Sequence, residues 1–180
     1  KNHSAEFHTR YGFKLASGQA FQARARGFAY FNNPDDSFYS DYIGGFLGMR
    51  SYPYFALGGD KTAFTSISYF APIYRNITKQ VGPYTLDKLY ARVFLEAGNA
   101  WNSPFGTSNS IKTGIGTELR LAMNGYYLFP LKFFVSASDG FNEFQLTLPE
   151  EFVTGSSNNT VTYGNEFLFH FGLTFDFELL

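Results

Sequence analysis

The chain has 180 residues, a formal net charge of −1 and no cysteine. That is enough chain for one domain, and it excludes a disulfide framework, cysteine metal sites, thiol nucleophiles and the basic footprint of a nucleic-acid binder. Aromatic residues reach 21% and charged residues only 16%, yet no run approaches the ~18 to 20 consecutive apolar residues of a spanning helix. Apolar residues are interleaved with polar ones, the pattern by which a membrane protein built of strands escapes a hydropathy scan. The first residue is Lys1, not Met, and no signal peptide precedes it, so the expectation is a processed product or part of a longer polypeptide.

Taken in order, residues 7–16 alternate, with Phe7, Thr9, Tyr11, Phe13 and Leu15 against His8, Arg10, Gly12 and Lys14. Ser17-Gly18-Gln19 reads as a tight turn. Residues 20–31 return, with Gln22, Arg24 and Arg26 on the face that carries Lys14. Residues 32–61 form a long Gly-, Asp-, Tyr- and Pro-rich stretch, and a loop of that length in a compact domain is usually functional. Residues 62–71 give a third strand, 72–88 a polar connection, and 89–98 a fourth strand with Arg92 and Glu96 on one face. After a loop over 99–110, residues 111–123 set Ile111, Ile115, Leu119 and Leu121 against Lys112, Gly114, Gly116, Glu118 and Arg120. Asn124-Gly125 reads as a hairpin turn into a strand over 126–138, with Tyr127, Phe129, Leu131, Phe133 and Val135 outward and Lys132 and Ser136 inward. A long Gly-, Ser- and Asn-rich loop over 139–165 follows.

The last stretch, 166–180, has the strictest period of two. Phe167, Phe169, Phe171, Leu173, Phe175, Phe177 and Leu179 share one face; Glu166, Leu168, His170, Gly172, Thr174, Asp176 and Glu178 share the other. A large apolar wall backed by polar residues suits lipid on one side and water on the other. The expected fold is therefore all-β: an antiparallel transmembrane β-barrel portion of seven or eight strands, with short turns at one end and long loops, above all 32–61, at the other. Seven strands is an odd number, and an open edge is costly in lipid, so the expectation is further strands upstream of Lys1, ahead of an eighth strand within the long loops or strands on another chain.

Three segments resemble the BamA and two-partner-secretion transporter superfamily, the bacterial surface antigen family. Ile43-Gly44-Gly45-Phe46-Leu47-Gly48-Met49-Arg50-Ser51-Tyr52-Pro53 is similar to its sixth-loop motif, with Ser51 where the family has Gly. Phe94-Leu95-Glu96-Ala97-Gly98-Asn99-Ala100-Trp101 resembles its acidic-x-Gly strand. His170, Gly172, Phe175 and Phe177 resemble its C-terminal assembly signal, although this chain continues through Glu178, Leu179 and Leu180. The resemblance implies the last seven strands of a sixteen-stranded barrel in the bacterial outer membrane, with a periplasmic C-terminus. It implies polypeptide insertion or translocation, with the lipid bilayer, the barrel-assembly machinery, client polypeptides and accessory subunits as partners. It also implies that the sixth loop folds into the barrel and pairs its Arg with an acidic wall residue.

The expected lock joins Arg50 to Glu96, with Gly48 and Tyr52 in the same loop motif. Arg92, Glu118, Arg120 and Lys132 face inward and are expected to neutralise one another or line a channel. Tyr126, Tyr127 and Trp101 sit at strand ends, where aromatic girdles meet headgroups. His3, His8 and His170 have no metal-ligand spacing, and no nucleophile elbow, zinc helix or phosphate loop occurs, so no catalytic residue, metal or cofactor is expected. The competing readings are a passive porin or structural barrel, a lipid-modifying enzyme of the outer membrane and, last, a soluble lipocalin-like barrel.

Overall fold

The structure, a computed structural model, describes residues 3–31, 40–102, 111–126, 129–147 and 160–175. Among the described residues the chain is all-β apart from one 3-10 turn at Ala16–Gly18. Its strands, in order, are β1 (Ser4–Lys14), β2 (Ala20–Tyr30), β3 (Asp41–Tyr42), β4 (Gly58–Gly59), β5 (Lys61–Tyr74), β6 (Lys79–Val81), β7 (Tyr84–Trp101), β8 (Lys112–Gly125), β9 (Phe129–Gly140), β10 (Phe144–Thr147), β11 (Thr160–Tyr163) and β12 (Phe167–Phe175). Eight of them form one sheet in the order β1-β2-β5-β7-β8-β9-β12, with β6 also paired to β7. Every ladder is antiparallel. Among the described residues β1 and β12 are each paired on one side only, so the sheet does not close on itself.

All seven long strands fall where the alternation predicts them, and several run further. The stretch 72–88 is not merely a polar connection: β5 continues to Tyr74, β7 starts at Tyr84, and β6 folds against it through a turn at Gly82. Cross-strand pairing with β8 carries β7 down to Tyr84, an extension that polar residues such as Asp87 and Lys88 hide from a pattern search. Residues 99–101 likewise belong to β7, because β5 and β7 stay paired from Lys61–Trp101 onward. Asn124 and Gly125 are not the turn either; they pair with Pro130 and Phe129, and the backbone reverses later, where Tyr126 takes φ 48°. The connection after β1 places both Ser17 and Gly18 at positive φ. The stretch 139–165 is not one loop: β9 runs to Gly140, and β10 and β11 form a small hairpin.

The sheet is inside-out. Its odd-numbered face is apolar and exposed: Phe167, Phe169, Phe171, Leu173 and Phe175 on β12 are 57–80% accessible, and Val135, Leu119, Leu95, Ile67, Tyr11 and Phe7 share that surface. Leu131, on the same face, is covered in a groove with Met123 and Leu173. Over β5, β7, β8 and β9 the even-numbered face is buried and largely polar, with Ser66, Ser68, Arg92, Glu96, Lys112, Glu118, Ser136 and Ser138 all below 9% accessibility; over β1 it is exposed. A soluble sheet does the reverse, since burying charge costs and burying hydrocarbon stabilises.

Register fixes how the buried face is tiled. One row of inward side chains runs Arg10, Arg24, Ser66, Glu96, Gly114; the next runs Gly12, Gln22, Ser68, Phe94, Gly116, Ser138; a third runs Lys14, Ala20, Phe70, Arg92, Glu118, Ser136, His170. At one end of the sheet, connections are 15–19, 75–83 and 126–128; at the other they are 31–60, 102–111 and 141–166. The unequal ends match the sequence expectation of short turns facing long loops.

Candidate functional site

The covering of the polar face is supplied by residues 43–57, between β3 and β4. They fold back over the inner wall as a compact knot of backbone hydrogen bonds. Ile43 N–H donates to Leu57 O at 2.9 Å, Met49 N–H to Ile43 O at 2.5 Å, and Gly45 N–H to Met49 O and Tyr52 O at 3.0 and 2.9 Å. Gly45 needs its positive φ of 88° here. Gly48 has no room for a side chain, because a Cβ would lie 1.9 Å from Ile43 O. Ile43, Met49, Tyr52, Leu57 and Phe64 form the small apolar core that holds this knot.

The wall is thinned to receive it. A Cβ on Gly114 would meet Ser51 Oγ at 2.2 Å, one on Gly98 would meet Met49 Sδ at 2.8 Å, and one on Gly140 would meet the Tyr52 ring at 2.9 Å. Polar contacts then fasten the knot. Tyr52 OH donates to Thr113 O at 2.9 Å and accepts from Asn142 N–H at 3.3 Å; Ser138 Oγ donates to Arg50 O at 2.8 Å. Burial pushes the Tyr52 phenol above its ordinary pKa, so it stays a neutral donor.

The centre is electrostatic. The Glu118 carboxylate is fully buried and receives three guanidinium groups: Arg50 Nη1 in a short hydrogen bond, Arg120 Nη2 at 2.7 Å and Arg92 Nη1 at 3.8 Å. Glu96 holds the same loop differently, its Oε2 accepting the Arg50 backbone N–H at 2.6 Å. Aromatic rings fill the space between the charges. The Arg50 guanidinium carbon lies 4.5 Å from the Phe46 ring centre and 5.1 Å from that of Phe94, and Arg92 sits 5.0 Å over Phe94 and 5.3 Å over Phe70. Phe46 in turn stacks on Phe134 at 4.5 Å. Each such cation–ring contact is worth ~0.5–2 kcal/mol, the upper end applying where water is excluded.

The expected Arg50–Glu96 side-chain pair is therefore corrected: the guanidinium goes to Glu118, two rows further along the wall, and Glu96 takes the backbone of the same residue. Gly48 and Tyr52 both lie in the knot, Tyr52 reaching the wall through Thr113 O. Arg92, Glu118 and Arg120 come together, whereas Lys132 lies apart in the row of Lys88 and Thr174. His170 faces inward, its ring centre 6.3 Å from that of Phe46. Gly172 faces inward beside Phe134 and Phe175 faces outward; Phe177, Tyr127 and residues 178–180 lie outside the described residues. Sequence reasoning missed Phe46, Phe94, Phe134, Ser138 and Asn142 as parts of the site. The inward parity of Phe94 and Phe134 was readable; that they would be needed as walls for Arg50 depends on how deeply the loop inserts.

Compared with known proteins, the chain matches no family model, no curated protein and no solved structure.

Proposed function

We propose that this chain forms part of a transmembrane β-barrel of the outer membrane, with 43–57 as a luminal loop, and that the barrel assists insertion or translocation of polypeptides. The observation that supports this most is the inversion of burial: phenylalanines exposed along β12 while Glu96, Glu118 and Arg92 are buried. Lipid against the odd face and a watery, loop-filled interior against the even face account for both halves at once. The surface antigen resemblance adds the polypeptide-handling role, which needs no metal, cofactor or nucleotide. A barrel offers backbone hydrogen-bonding groups at its strand edges to an incoming strand, and a docked loop gates its interior.

The absence of cysteine makes the membrane part directly testable. Single cysteines at Phe171 and Thr174, neighbours of opposite parity on β12, are placed in protein reconstituted into liposomes. The Phe171→Cys thiol is expected to react with a lipid-soluble maleimide and resist a charged one, and Thr174→Cys to do the opposite. Equal labelling of both by the charged reagent defeats the barrel. Insertion is tested by the same liposomes accelerating the folding of a urea-denatured outer-membrane barrel; a rate equal to that of protein-free liposomes leaves a passive pore as the better reading.

A further inference from the structure

The loop lock leaves two guanidinium groups of the inner wall without an ion pair among the described residues, with Glu96 as the carboxylate of their row. Arg10 and Arg24 stand directly opposite each other across the β1–β2 ladder, on the even-numbered face, Arg24 half-buried and Arg10 exposed. Like charges so placed repel and weaken the ladder. No ion pair among the described residues relieves them: in this region the pairs run from Arg26 to Glu6 at 2.9 Å and to Asp41 at 2.7 Å. Arg24 instead donates Nη2 to the Gly48 carbonyl at 3.4 Å and lies 4.7 Å over the Phe64 ring. Lys14 lies two rows on from Arg10, on the same face, exposed.

The imbalance extends across the interior. Besides Arg10, Lys14 and Arg24, the even face of the described strands carries Arg26, Lys88, Arg92, Lys112, Arg120 and Lys132 against Glu6, Glu96 and Glu118, and Glu6 is paired with Arg26 and Glu118 with Arg50. Composition does not explain this, since the whole chain carries −1. Acidic residues gather instead at the long-connection end, at Asp41, Asp60, Asp139, Glu143 and Glu166.

We propose that the inner wall over β1 and β2, centred on Arg10 and Arg24, is an anion subsite that gives the lumen a preference for small anions. The inference rests on the barrel reading, in which this face lines a watery interior. A halide or oxyanion between the two guanidinium groups turns their repulsion into a bridge, and the guanidinium fork suits phosphate or carboxylate oxygens. Rings of arginine and lysine are how anion pores select. The effect is electrostatic, so it weakens as salt rises and the screening length shrinks.

The test uses the intact protein in planar bilayers of uncharged lipid, across a potassium chloride gradient. Wild type is expected to reverse on the chloride side, with added inorganic phosphate lowering the chloride current. R10E/R24E is expected to lower the chloride-to-potassium permeability ratio by about threefold or more. R10Q, which leaves the Arg24 contacts to Gly48 and Phe64 in place, is expected to lower it partway and to lose the phosphate effect, separating loss of the subsite from misfolding. A wild-type pore that prefers potassium overturns the proposal, as does a ratio unchanged in R10E/R24E. If the docked loop keeps the pore shut, calorimetric titration of the detergent-solubilised protein with inorganic phosphate replaces the current: binding in wild type and none in R10Q/R24Q supports the subsite, and no binding in wild type overturns it. Neutral detergent removes lipid phosphate as a source of the signal. Conductance without anion preference sinks this inference alone, whereas equal aqueous labelling of the β12 cysteines sinks the barrel with it.

Discussion

At the scale of residues, the interior is a choice between two carboxylates. Glu118 is fully buried and carries the Arg50, Arg92 and Arg120 guanidinium groups; Glu96 accepts one backbone N–H. Removing one partner of a buried pair strands the other, at a cost of roughly 3–5 kcal/mol, less where water reaches it. Glu118→Ala strands up to three cations, so it is expected to destabilise the folded protein more than Glu96→Ala, by at least ~1 kcal/mol in urea unfolding followed in detergent. The same loss frees the loop. The Arg50–Ser51 bond is buried in the wild type, and trypsin is expected to cut there in Glu118→Ala while sparing Glu96→Gln, which keeps an acceptor for the Arg50 N–H. Equal cleavage of both variants would move the weight of the lock back to Glu96. A steric counterpart exists on the wall. Gly116→Ala puts a methyl 2.3 Å from the Phe94 ring and 2.8 Å from the Ala137 carbonyl. Phe94 is wedged between Arg50 and Arg92, so the variant is expected to show the same tryptic sensitivity with every charge still present.

At the scale of elements, β12 carries the argument. Its outward residues Phe167, Phe169, Phe171, Leu173 and Phe175 read from the sequence as a wall, and they stand as one. A lysine at the middle of a lipid-facing strand costs ~2–4 kcal/mol, so Phe171→Lys is expected to lower unfolding stability in liposomes by that amount and Thr174→Lys by far less. Similar losses for the two would mean that both faces see the same medium. Strand existence and parity were legible because a period of two is local. What was not legible is what depends on depth and on neighbours. The extension of β7 to Tyr84 is set by pairing with β8, not by its own Asp87 and Lys88. The choice of Glu118 over Glu96 follows from how far Gly98, Gly114 and Gly140 let the loop sink, and a glycine in a strand does not announce which residue it makes room for.

At the scale of the whole molecule, the barrel reading requires a boundary as well as a face. Trp101 is the sole tryptophan of the chain and ends β7 at the side of the long connections. Beside it, Phe7, Ala63, Ala97 and Ile111 line a groove on the outer surface. Tryptophan settles where hydrocarbon gives way to headgroups, because its ring is apolar and its N–H needs a partner. A single tryptophan turns this into a measurement without engineering. In liposomes of lipids brominated at successive depths, Trp101 emission is expected to be quenched most by bromine near the headgroups and least by bromine at the chain ends. Phe133→Trp in a Trp101→Phe background provides the comparison: Phe133 faces outward on β9, two strands from the first site and toward the short-turn end. Its quenching is expected to peak at a deeper label. Two emissions with one depth profile would remove the distinction between belt and wall. No quenching at either position would mean that the exposed phenylalanines meet something other than lipid, and that the inverted burial is resolved by a protein partner laid across the odd face.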